Sequence, residues 1–213
     1  MGVNRTALIQ VLGAVAYGEL KAYEGAKEQA RTASTDDERR VWKTQAAEEL
    51  RHHRGFVKRL EALGADPERA MRPYRRALDS YHSDEPHDDI AAAIWDYLGE
   101  GVADDLLGWL RLVVDEETAE FIETVAADEV NHEARAAAGI RGRLHTPADH
   151  REAMLATMRM VGRMLASGAP DPRPFLAFVR LGRTPELLGA LVGGQIRRLQ
   201  SIGLRPLGVG VAA

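Results

Sequence analysis

The chain has 213 residues, 45% hydrophobic and 28% charged, with a net charge of −4; this is the range of a soluble globular protein with a sizeable core. It contains no cysteine, which excludes disulfides, iron–sulfur clusters, a thiolate nucleophile and Cys-based zinc sites and fits a reducing cytoplasm. No apolar run approaches the roughly 20 residues that cross a bilayer, so no membrane association is expected.

Arg5 followed by the apolar stretch Ala7 to Ala16 loosely resembles a secretory leader. Gln10 interrupts it, and the same helical periodicity continues to Glu19 and Ala26. The stretch therefore reads as the start of a first helix, from about Thr6 to Ala33, with Leu8, Leu12, Val15, Glu19, Ala22 and Ala26 on one stripe. Thr35-Asp36-Asp37-Glu38 has the form of a capping box and opens a second helix that stops at Gly64. Its stripe is Trp42, Gln45, Glu49, His52, Phe56 and Leu63.

Asp66-Pro67 starts a shorter crossover helix to about His82, before the breaker stretch Ser83-Asp84-Glu85-Pro86. The third long helix spans about Asp88 to Val114, with Ala93, Tyr97, Glu100, Asp104 and Leu107 aligned. The fourth spans about Glu116 to Leu144, with Ile122, Val125, Glu129, His132 and Ala136 aligned. Thr146-Pro147 opens a further helix to Ser167, a Pro-rich stretch at 170–174 leads to a short one, and Thr184-Pro185 opens a last one to Ile202. The tail 205–213 is expected to be disordered. No period-two alternation of strand length occurs. The expected fold is all-α: a four-helix bundle over residues 1–145, and a C-terminal helical extension over 146–204 packed on it.

Two segments carry the chemistry, Glu49-Leu50-Arg51-His52 and Glu129-Val130-Asn131-His132. Residues three apart share a helix face, so each Glu-His pair can reach one ion. The other two long helices each place a glutamate on their stripe, Glu19 and Glu100. Glu19 precedes Glu49 by 30 residues and Glu100 precedes Glu129 by 29, so the residues come as two matching helix pairs. With 7 His and 18 Glu in 213 residues, chance alone gives about 0.6 Glu-x-x-His pairs, so a single pair is readily explained by chance. Two of them, each preceded by an acid (Glu48, Asp128) and each with an upstream glutamate on a core stripe, are not.

Charged residues on helices usually form a solvated face. Here that reading fails, because Glu19, Glu49, Glu100 and Glu129 share stripes with Leu, Val, Ile and Phe. Four inward carboxylates repel one another and cost on the order of several kcal/mol each to desolvate. Two divalent cations would cancel their charge. Oxygen and imidazole donors without thiolate suit two iron ions, with manganese as the alternative. Glutamate from two helices and Glu-x-x-His from two others is the ligand set of ferritin-like di-iron and di-manganese bundles.

The paired acid-Glu-x-x-His segments resemble those of the non-haem di-iron carboxylate family, which includes bacterial multicomponent monooxygenases and bacterioferritins. By that resemblance, Glu48 and Asp128 orient His132 and His52; at Glu48 the family more often has Asp. Ala16-Tyr17-Gly18-Glu19-Leu20, Leu63-Gly64-Ala65-Asp66-Pro67 and Gly99-Glu100-Gly101-Val102-Ala103-Asp104 are similar to an actinobacterial ferritin-like group related to the tRNA hydroxylase MiaE.

This likeness implies a hydroxylase that activates O2. Its electrons come from an external reductase, since no flavin or nicotinamide motif is present, and its target is a modified tRNA base or a small organic substrate. A ferroxidase or iron-storage protein is the alternative, against which stand the long crossover and the helices after residue 145. A scaffold with structural metal comes third.

Residues 135–213 hold 12 arginines and 4 acidic residues, whereas residues 1–134 hold 16 basic and 28 acidic ones. Arg141, Arg143, Arg151, Arg159, Arg163, Arg197 and Arg198, with Arg69, Arg72, Arg75 and Arg76 on the crossover, are candidates for tRNA phosphates. The competing expectation pairs the C-terminal arginines with acids of the bundle or of a second subunit in a homodimer. Tyr97, Trp42, Trp95 and Trp109 read as packing residues, and Met154, Met158 and Met164 as core. His53 reads as solvated or interfacial, and His82, His87, His145 and His150 as binding nothing.

Overall fold

The computed structural model describes residues 4–83, 86, 88–167 and 173–204. The expected tail 205–213, like His87, lies outside them. The described residues form eight helices and no strand: α1 (Arg5–Thr32), α2 (Asp36–Ala62), α3 (Pro67–Ser83), α4 (Asp89–Leu110), α5 (Glu116–Arg141), α6 (Pro147–Ser167), α7 (Arg173–Leu181) and α8 (Thr184–Ser201).

Local chemistry sets the ends. The Asn4 side chain accepts from Ala7 N at the start of α1. Thr35 and Glu38 form both bonds of the capping box at α2. Asp88 caps α4 and Asp115 caps α5. Gly64, at φ 63°, ends α2 in the left-handed region that glycine enters without strain, and Ala65 N reaches back to Leu60 O at 2.9 Å. The helix expected to reach Val114 stops at Leu110, because Leu112 N and Val113 N bond to Trp109 O and Leu110 O in tight turns before Asp115 restarts the chain.

α1, α2, α4 and α5 are the four bundle helices, and α3 is the crossover lying against α1. There a β-carbon at Gly13 would stand 2.4 Å from the Ala70 carbonyl oxygen, so glycine is what lets the two backbones approach. Tyr17 OH donates to Asp79 at 2.7 Å across the same contact.

The apolar core is in two parts. One gathers Leu8, Leu12 and Val15 with Phe56, Leu60, Trp109, Ile122 and Val125, and reaches Ala177 on α7 and Leu187 on α8. The other gathers Ile94, Trp95, Tyr97 and Leu98 with Ala137, Ile140, Ala153, Met160, Leu199 and Ile202. On α4 the first begins after Glu100 and the second ends before it; on α5 they flank Glu129 and His132 in the same way. A polar layer therefore separates them.

Two expectations change. α6 faces the core through Ala153, Ala156 and Met160, which turns Met158 outward at 56% exposure; the Met164 side chain lies outside the described residues. His53 is half-buried, and its Nδ1 lies 2.7 Å from Ala16 O, tying α2 to α1. Arg198 is buried against Asp105, the pairing with bundle acids that competes with a phosphate contact. Tyr97, Trp95 and Trp109 are core residues, and Trp42 is half-buried.

Candidate metal centre

Between the two apolar clusters, Glu19 on α1, Glu49 and His52 on α2 and Glu129 on α5 each direct a ligand atom into one space. These atoms all lie within 4.8 Å of one another. Glu19, Glu49, His52 and His132 are buried, while Glu129 and Glu100 are half-buried. His52 Nδ1 stands 3.4 Å from Glu19, 3.4 Å from Glu49 and 3.3 Å from Glu129. His132 Nδ1 stands 3.2 Å from Glu49 and 3.0 Å from Glu129.

A two-fold pattern follows from which oxygens are used. Glu49 turns Oε2 to His52 and Oε1 to His132. Glu129 turns Oε1 to His52 and Oε2 to His132. These two carboxylates occupy the centre, each touching both imidazoles. Glu19 stands with His52 alone.

Glu100 occupies the corresponding position on α4 but makes no hydrogen bond or ion pair among the described residues. Burial, with the like charges of Asp96, Glu49, Glu129 and Asp104, holds its carboxyl well above the usual range. Glu100 and His132 are the two predicted residues outside the four-residue group, and His132 is tied to it through Glu49 and Glu129.

The outward nitrogens are held in the same crossed way. His52 Nε2 lies 3.0 Å from Asp128 Oδ2, and His132 Nε2 lies 2.8 Å from Glu48 Oε2. Each acid precedes a central glutamate on one helix and reaches the histidine of the other. A carboxylate at Nε2 keeps a proton there, which would leave the Nδ1 lone pair for a bound metal. Sequence reasoning left one support out. Gln45 Nε2 donates to Glu49 at 3.4 Å while its Oε1 accepts from Arg135 at 2.9 Å, a chain whose only sequence signal was a polar residue on a core stripe.

Without a cation this arrangement is strained electrostatically. Burial raises the Glu19 carboxyl, and Glu49 and Glu129 raise it further against the opposing pull of His52. Burial disfavours the charged imidazoles, but the surrounding carboxylates outweigh it and hold His52 up at about 12 and His132 at about 11. Burial pushes Glu49 up as well, but the two histidines win and bring it below the usual range.

The fit to a metal is tested by one atom. His52 Nδ1 is buried without a hydrogen-bond partner among the described residues, facing three carboxylates at 3.3–3.4 Å. A buried polar atom left unmatched costs about 1–3 kcal/mol, and a cation among these oxygens would satisfy it. The residues fit a metal centre built from oxygen and imidazole nitrogen.

Residues 3–169 match the model of a family described as a ferritin-like domain of actinomycetes. The chain belongs to this family. A search among curated proteins found no match. The ferritin-like match stops near the end of α6, so α7 and α8 lie beyond it. No helix among the described residues is long and apolar enough to cross a membrane.

Proposed function

We propose that this ferritin-like protein holds two iron ions (manganese being the other candidate) and uses them to hydroxylate an organic substrate with O2. Glu19, Glu49, His52, Glu100, Glu129 and His132 would hold them. The carrying observation is that Glu49 and Glu129 each present one oxygen to each histidine. Such a pair of ions supplies Lewis acidity and electrons towards O2.

The residues of the chain do the rest. Asp128 and Glu48 keep protons on the histidine Nε2 atoms, and Gln45 steadies Glu49. The apolar clusters on either side limit water. Hydroxylation consumes O2, two electrons and two protons and returns an alcohol and water. The electrons require an external reductase.

A small molecule is favoured over tRNA as substrate. Arg198 is buried against acids, Arg143 is paired with Asp89 at 2.8 Å, and Arg141 donates to Ser201 O. In the crossover, Arg75 is paired with Glu68. These contacts engage four of the eleven arginines that phosphates would draw on.

Stopped-flow absorbance after mixing the ferrous protein with O2, with metal content measured on the same sample, tests the proposal. A substrate- and reductant-dependent O2 uptake is expected. A mineral core of hundreds of irons in a cage-like oligomer would overturn it in favour of iron storage. Binding of total tRNA at about 50 mM salt, lost by orders of magnitude at about 200 mM, would restore the nucleic-acid substrate.

A further inference from the structure

Helix α8 lies beyond the family match, yet it sends a charge into the bundle. Arg198 is 4% exposed. Its Nη1 donates to Asp105 at 2.8 Å, and its Nη2 stands 3.3 Å from Glu133 and 3.5 Å from Asp104. Its Nε is buried with no hydrogen-bond partner among the described residues.

Room for the group is made by two glycines. A β-carbon at Gly101 would fall 2.2 Å from Arg198 Nε, and one at Gly194 would fall 1.9 Å from Asp105 Oδ2. Neighbouring contacts hold α8 in place: Gln195 donates to Leu98 O at 3.0 Å, and Tyr97 meets Ser201 at 2.8 Å.

The positions of the acids repeat the metal layer. Asp104 follows Glu100 by four residues and Glu133 follows Glu129 by four, which places both one helical turn along the same faces. Three carboxylates converge on one guanidinium, and Arg197 adds only a 3.8 Å contact to Asp105 from a largely exposed side chain. Oxygen donors alone are what a hard divalent cation takes.

We infer that Arg198 is a built-in cation, filling a third cation position formed by Asp104, Asp105 and Glu133, one turn along from the two metal positions. The guanidinium does there what an ion would otherwise do. It cancels buried acid, joins α4 to α5 beside their metal residues, and keeps further metal out. The inference extends the metal reading, but its test is a difference between variants and does not depend on that reading.

The experiment counts bound ions by electron paramagnetic resonance while metal-free full-length protein is titrated with MnCl2. R198Q removes the charge but keeps a polar side chain that can bond to Asp105; R198A removes more bulk. Each is expected to bind one more Mn2+ per chain than the natural protein, and that ion should raise the melting temperature of the variant. R198K keeps the charge and should bind the natural number. The extra ion should disappear in R198Q/E133Q. Should R198A fail to fold, R198Q alone decides. An unchanged Mn2+ count in R198Q overturns the inference. Natural protein that binds no Mn2+ while R198Q binds one would overturn the two-metal reading and leave Arg198 as the internal cation.

Discussion

His52 Nε2 lies 3.0 Å from Asp128 Oδ2, although the two residues are 76 positions apart in the chain. The reverse contact, His132 Nε2 to Glu48 Oε2, spans 84 positions. Each Glu-x-x-His segment therefore supplies the orienting acid for the other, and neither half of the centre is complete without the helix opposite.

Exchanging either acid for its amide should weaken metal binding by about 10–100-fold, the usual effect of losing a group that orients a metal-bound histidine. Asp128→Asn should act on the ion beside His52 and Glu48→Gln on the ion beside His132. Titration of each metal-free variant with Mn2+ checks this. Two variants indistinguishable from the natural protein would remove the crossed support.

Loss of the central carboxylates should be worse than loss of the outer ones. Glu49→Ala/Glu129→Ala should carry neither ion, because both carboxylates face both histidines. Glu19→Ala, Glu100→Ala or His132→Ala should each lose at least one of two. Elemental analysis of purified protein gives the count, and full occupancy in the double variant would rule out the site.

The metal-free protein should lose stability as pH rises from about 5 to 9. The Glu19 and Glu100 carboxyls have raised values in the fold, so the stability they contribute is complete below the ordinary carboxyl range and declines above it. His52 and His132 titrate at about 12 and about 11 in the fold. Their contribution is full below about 6.5, the ordinary imidazole value, and falls away above that. Glu49, held low, acts in the opposite sense and only in acid. Bound metal displaces these protons, so affinity should fall as pH falls. Melting curves with chelator and with Mn2+ at three pH values test both slopes.

Two glycines of α1 should respond oppositely to alanine. At Gly13 the new methyl meets the Ala70 carbonyl at 2.4 Å, a backbone atom that cannot rotate away. The clash of about 1–3 kcal/mol outweighs the helix gain of up to about 1 kcal/mol. At Gly25 nothing lies within 4 Å, so only the gain remains. Thermal melting should show Gly13→Ala lowered and Gly25→Ala unchanged or raised.

The helices, the cap at Thr35, and the inward faces bearing Glu19, Glu49, His52 and His132 could be read from the sequence alone. Periods of three and four residues are local geometry, and a carboxylate on an apolar stripe has only one place to go. Partners across the bundle are a different matter. That Glu49 and Glu129 each meet both histidines depends on how four helices set their heights and rotations, which no local period encodes. The same holds on α6 and α8. Met158 and Met160 are both apolar residues on α6, and only packing against α4 chooses which is buried. Arg198 and Arg197 are adjacent and chemically identical in sequence, yet one is buried against Asp105 and the other is 70% exposed at the side chain. A residue's chemistry is written in the chain; the field it sits in comes from helices that sequence order keeps far apart.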